Sequence, residues 1–135
     1  MEVPLKSVLL IDDDEATNFL HQLIIKKSGL TENINIARDG KEALRYLTSV
    51  IEGKHALPEL IFLDINMPIM DGWEFLDEYQ KLPLSGSNKP VLLILTASEN
   101  PADEKRARDY LAVSGFLNKP LTVEVLQDIP GTYFK

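Results

Sequence analysis

Two kinds of apolar pattern alternate along the 135 residues. Val8-Leu9-Leu10-Ile11, Leu60-Ile61-Phe62-Leu63 and Val91-Leu92-Leu93-Ile94-Leu95 are short unbroken runs, which suit strands covered on both faces. Ile34/Ile36 and Phe116-Leu117 add two briefer strands. Between these runs the spacing turns helical. Phe19, Leu20, Leu23 and Ile24 recur as a helix face up to Gly29, a natural stop. Ala43, Leu44, Leu47 and Ile51 follow the D-x-x-E box of Asp39 and Glu42, and Phe75, Leu76 and Tyr79 follow a second such box at Asp71 and Glu74. Asn100, Pro101, Asp103 and Glu104 read as cap, first-turn proline and acids facing the helix dipole, with Ala107, Tyr110 and Leu111 continuing that helix. A last helix is expected over Thr122 to Gln127, kept short by Pro130 and Gly131.

Five strands alternating with five helices predict parallel pairing through right-handed crossovers. The expected architecture is α/β, a doubly wound five-stranded parallel sheet with helices on both faces. The length suits one domain over residues 1–135 with no output domain. Glu52 to Pro58 and Lys81 to Pro90 are expected as surface loops. The lack of Cys excludes disulfide scaffolds, thiolate metal sites and Cys nucleophiles. Lys and Arg number 14 against 21 Asp and Glu, a net charge of −7, which argues against direct binding to nucleic acid or an anionic membrane. The first apolar run is too short for a signal peptide and meets Asp12 at once, so a cytoplasmic protein is expected.

Ligands of open parallel sheets sit beyond the carboxyl ends of the strands. Those ends carry Asp12-Asp13-Asp14, Asp64, Thr96 and Asn118-Lys119-Pro120. If Asp12, Asp13 and Asp64 converge to ~5 Å, each pair repels by about 3 kcal/mol at an effective dielectric of 20. A hard divalent cation offsets such repulsion, and Mg²⁺ commonly combines one or two carboxylates with water and phosphate oxygens. Asp14 reads better as the cap of the following helix. Pro120 restricts Lys119 to an extended conformation that aims its ammonium at the strand ends. With the Thr96 hydroxyl, the set offers what phosphoryl transfer to a carboxylate nucleophile needs.

On these residues the chain resembles a response-regulator receiver domain of two-component signalling. The resemblance rests on Asp12-Asp13, on the run from Asp64 through Asn66, Met67 and Pro68 to Asp71-Gly72, on Thr96-Ala97 and on Lys119-Pro120. It implies a flavodoxin-like (βα)5 fold and makes Asp64 the phosphoacceptor. It further implies Mg²⁺ held by Asp12, Asp13, Asp64 and the carbonyl of Asn66. Thr96 and Lys119 would each engage a phosphoryl oxygen, and the Lys119–Pro120 bond would be cis. The donor would be a sensor histidine kinase or a histidine phosphotransfer protein, with no enzyme activity beyond self-phosphorylation from phosphodonors and slow self-dephosphorylation. The signal would leave from the fourth helix, fifth strand and fifth helix toward an effector, a homodimer or a further phosphohistidine domain. Thr96 and Phe116 would form the switch pair, although Phe116 reads equally well as a core aromatic. Ser98 and Asn66 occupy positions that tune phosphoryl lifetime in the family.

Two rivals share parts of this pattern. A haloacid-dehalogenase-type phosphatase needs Thr or Val where Ala16 stands, and a flavodoxin-like carrier needs a Ser/Thr/Gly-rich loop where three acids stand. His21 and His55 have no second ligand at metal spacing. Trp73, Met67 and Met70 read as packing residues.

Overall fold

The computed structural model describes residues 4–84 and 89–134. The chain runs β1(Val8–Ile11), α1(Glu15–Ser28), β2(Ile34–Ala37), α2(Gly40–Ile51), β3(Leu60–Leu63), α3(Gly72–Tyr79), β4(Val91–Thr96), α4(Pro101–Ala107), β5(Gly115–Asn118) and α5(Val123–Tyr133). The strands form one parallel sheet in the order β2-β1-β3-β4-β5, as the alternation predicts. All four residues of β1 and of β3 are buried, so each strand contributes side chains to both faces. Leu9, Ile11, Ile61, Leu63, Leu92 and Ile94 point to one core layer, shared with Leu47, Phe75 and Leu76. Val8, Leu10, Leu60, Phe62, Leu93 and Leu95 point to the other, shared with Ile25, Leu126 and Ile129. The sheet order places the switch point between β1 and β3, whose carboxyl ends carry Asp12 and Asp64.

The caps follow the side-chain chemistry. Asp14, Asp39, Asp71 and Asn100 each accept a backbone N–H of their helix, but only Asp71 completes the reciprocal box, through Glu74. Gly29 takes the left-handed conformation at the end of α1, φ 79°.

Three expectations are corrected. The face of α1 is not the stripe of Phe19, Leu20, Leu23 and Ile24: the first three are 65%, 46% and 53% exposed, and Ile24 is half-buried. The helix instead buries Asn18, His21 and Ile25. Two of these are polar, so a hydrophobicity pattern selects the wrong side. Helix α4 stops at Ala107, and Tyr110 and Leu111 do not extend it. Asp109 and Tyr110 donate to Arg106 and Ala107, a tightened i→i+3 ending. The Tyr110 ring stacks on Trp73 while its hydroxyl donates to Asp77, and Leu111 is fully exposed. Helix α5 runs beyond Gln127 to Tyr133 with Pro130 inside it. Burial of Ile129, and packing of Tyr133 and Phe134 on the second core layer, hold the final turn despite the donor lost at proline.

Residues 52–56 form an exposed connection, as expected. Of the surface loop expected over Lys81 to Pro90, residues 85–88 lie outside the described residues. No helix among the described residues is long and apolar enough to cross a membrane.

The corrected orientation of α1 predicts a contrast in stability. Leu23→Lys should change the unfolding free energy by no more than about 0.5 kcal/mol. Ile25→Ala, two residues on and on the opposite, fully buried face, should cost about 2–5 kcal/mol. Urea titrations of the two variants check this.

Candidate functional site

The sheet ladder delivers the acids. Asp12 N donates to Ala37 O at 3.0 Å and Asp64 N to Ile11 O at 2.9 Å, which carries the β1 pairing one residue past each strand. One oxygen from each of Asp12, Asp13 and Asp64 lies within 4.8 Å of the others, the convergence expected. Asp12 and Asp64 are buried and Asp13 is exposed, so the cluster opens to solvent on one side. Asp12 is tied further: Asp14 N donates to its Oδ1, and Asn18 Nδ2 donates to its carbonyl at 2.8 Å.

Lys119 enters from the other end of the sheet. Its N–H donates to Thr96 O at 2.8 Å, extending the β4–β5 ladder, and the Lys119–Pro120 bond is cis. Its Nζ lies 2.6 Å from Asp12 Oδ2 and 3.4 Å from Asp64 Oδ1. Burial opposes its charge, but the bond to Asp12 and the charges of Asp64 and Asp12 win, so its pKa rises. The balance for Asp64 goes the other way. Burial dominates, Lys119 pulls back, Asp12 and Asp13 push further up, and the carboxyl titrates at about 6. Thr96 is fully buried, and its Oγ1 accepts from Ser98 N at 3.0 Å. Ser98 Oγ donates in turn to Asp103 on α4 at 2.6 Å.

The loop from Asp64 to α3 is fixed at both ends. Gly72 N donates to Ile65 O at 2.8 Å, and a Cβ there would meet Asp64 O at 2.7 Å, so only glycine allows this approach. Gly40 N donates to Met70 O, and the Met70 side chain covers Gly40. Between them Ile69 holds φ 67°, a left-handed conformation rare for a β-branched residue. Asn66 is exposed on this loop.

Phe116 is half-buried, two residues before the strand partner of Thr96. It lines both a cleft of about 460 Å³ shared with Thr96, Ser98 and Lys119 and a second groove against Ala107 and Arg108. Trp73 is buried beneath Arg106 and against Tyr110, a packing role as expected, and Met67 is buried in the core. His55 stacks on Tyr46. His21 is buried, with Nε2 accepting from Leu121 N. That contact, the Asn18 bond to Asp12, and the close approach at Gly72 were not anticipated. Gly72 alone carried a sequence signal, as the glycine directly after a capping Asp.

This geometry can be set beside known proteins. Residues 8–129 match the family described as the response regulator receiver domain. The chain belongs to that family. It is 34% identical over 117 residues to the response regulator Rcp1 of Synechocystis, covering 86% of this chain and 78% of Rcp1. It is 33% identical over 121 residues to a probable methanogenesis regulatory protein, FilR2, of Methanothrix harundinacea, covering 89% of this chain and 76% of that protein. Among solved structures, a two component response regulator from Cytophaga hutchinsonii superposes with TM-score 0.85 at 33% identity, over 94% of this chain and 95% of that one. The phosphorylated cyanobacterial phytochrome response regulator RcpA superposes with TM-score 0.77 at 27% identity, over 97% and 95%. Receiver domains are phosphoacceptor switches of two-component signalling. They take phosphoryl groups from histidine kinases or phosphotransfer proteins and bind Mg²⁺ at an acidic pocket.

The donor set of this receiver domain fits that cation: three carboxylate oxygens converge, one side is open to solvent, and Lys119 compensates only part of the negative charge.

The raised pKa of Asp64 predicts a pH signature. A proton is held more tightly folded than unfolded, where the ordinary value is 3.8, so the charged group weakens the metal-free fold. The penalty is absent below pH 3.8, grows as pH rises, and is complete above about 6. It amounts to roughly 3 kcal/mol for a shift of about two units. Asp64→Asn should therefore be more stable than wild type in chelator at pH 7.5, with the gain shrinking toward pH 4. Urea unfolding across that range checks both the sign and the window.

Proposed function

We propose that Asp64 accepts a phosphoryl group from a phosphohistidine, on a sensor histidine kinase or a histidine phosphotransfer protein, in a Mg²⁺-dependent cytoplasmic reaction. The observation that carries this reading is Lys119 reaching both Asp12 and Asp64 beside the buried hydroxyl of Thr96. An Asp64 carboxylate oxygen attacks phosphorus while the phosphorus–nitrogen bond of the donor breaks. The imidazole keeps the electron pair, and a mixed anhydride forms on Asp64. Lys119, 3.4 Å from Asp64 Oδ1, is placed to pair with one phosphoryl oxygen. Thr96 Oγ1 receives its bond from Ser98 N, which leaves the hydroxyl proton free to donate to another. Asp12, Asp13, Asp64 and the carbonyl of Asn66 would hold the cation, which when bound neutralises charge on carboxylates and phosphoryl oxygens alike. The chain's catalysis is limited to this self-phosphorylation and to slow hydrolysis of the aspartyl phosphate, in which water takes the phosphoryl group as inorganic phosphate and frees the Asp64 carboxylate.

The same reading extends to output. Adding nearly two negative charges next to Thr96 and Lys119 favours an arrangement in which the Thr96 hydroxyl turns to the phosphoryl group. Phe116 is the aromatic that lines both the Thr96 cleft and the groove against α4, so it is placed to follow. The surface affected is that of α4, β5 and α5, and an effector, a second copy or a phosphotransfer protein would read it.

With Mg²⁺ and acetyl phosphate, the wild-type chain should gain one phosphoryl group, removable by hydroxylamine. Asp64→Asn should gain none; equal labelling of that variant in mass spectra would overturn the assignment. Asp13→Ala should weaken Mg²⁺ binding by about tenfold or more, a loss of at least ~1.4 kcal/mol readable by calorimetry.

A further inference from the structure

Lys119 is held in place by more than its own ion pairs. His21 lies on α1, fully buried, and its Nε2 accepts the backbone N–H of Leu121 at 3.4 Å, a contact spanning 100 residues of sequence. Leu121 is itself buried and stands two residues after Lys119. The contact therefore ties the segment following β5 to the helix that follows Asp13. One turn earlier on the same helix face, Asn18 holds the carbonyl of Asp12. The two buried polar side chains of α1 thus grip the backbone on both sides of the Asp12–Lys119 ion pair. An imidazole can accept at Nε2 only when neutral, with its hydrogen on Nδ1. Burial and the nearby charge of Lys119 both favour the neutral ring, against a smaller pull from Asp12.

We propose that His21 is a positioning residue for phosphoryl uptake. Its Nε2 fixes the Leu121 amide and, through it, the reach of Lys119 to Asp12 and Asp64. This rests on the reading of Asp64 as phosphoacceptor. His21 touches neither donor nor cation, so its removal should act only through Lys119 and slow the reaction at saturating donor. Displacing a catalytic group by a fraction of an ångström to an ångström costs up to about a hundredfold.

The test pairs His21→Leu, which removes the acceptor, with His21→Gln, whose side-chain oxygen reaches the same place. With acetyl phosphate and Mg²⁺, His21→Leu should lower the limiting rate by about tenfold, within that range. His21→Gln should return to within about threefold of wild type. In nitrogen-15 spectra, wild-type His21 should be the neutral tautomer protonated at Nδ1. The Leu121 amide should shift in the Leu variant and return toward its original position in the Gln variant. Unchanged uptake in His21→Leu, or an equal deficit in both variants, overturns the proposal. So does an imidazole protonated at Nε2, a measurement on the wild-type chain that holds even if the Leu variant fails to fold. If wild type itself takes up no phosphoryl group while Asp64 is intact, the phosphoacceptor reading falls and the positioning role falls with it. The tautomer measurement then still decides whether His21 holds Leu121.

Discussion

The ion pair between Lys119 and Asp12 is the constraint on which the rest of the site depends. Three carboxylates crowd the carboxyl edge of the sheet, two of them buried, and Asp12 and Asp13 add to the cost of charging buried Asp64. One ammonium, itself largely buried, sits 2.6 Å from the most buried of them. Removing such a cation would strand a carboxylate with no compensating charge, a far larger loss than breaking a surface pair. The compensation is still incomplete. Asp64 keeps a pKa near 6, so the metal-free pocket stores unfavourable electrostatic energy at neutral pH. A divalent cation held by the three carboxylates would supply the positive charge that Lys119 alone does not.

The fold exists to hold that geometry. Parallel strands end at one edge, and their ladders run one residue beyond each strand, so Asp12, Asp64 and Lys119 are placed by backbone hydrogen bonds as well as by side-chain packing. Gly72 lets α3 start against the backbone of Asp64 itself. In the same layer, Trp73, Arg106, Tyr110 and Asp77 join α3 to the end of α4. These contacts tie the end of α4 to the helix that follows the loop leaving the acidic pocket.

Much of this was legible in the chain because the signals were local. Unbroken apolar runs marked the buried strands, and Asp and Asn before helical spacing marked four caps that the structure contains. The acids at strand ends could be gathered into one pocket from topology alone. What failed to show was non-local. Asn18 and His21 are polar, so nothing in a hydrophobicity pattern marks them as the inner face of α1; their burial depends on backbone groups of Asp12 and Leu121. Helix α5 outruns Pro130 because Ile129 and Tyr133 find partners in the second core layer. Tyr110 leaves the α4 pattern because Trp73 and Asp77 claim its ring and hydroxyl. In each case a tertiary contact overrode a local preference.

The most direct test of the central claim is borohydride reduction of the chain after treatment with Mg²⁺ and acetyl phosphate, followed by peptide sequencing in the mass spectrometer. An acyl phosphate is reduced to an alcohol, so the account predicts homoserine at position 64 and nowhere else. Homoserine at position 12 or 13, or phosphate that survives reduction on a histidine or a hydroxyl, would contradict it.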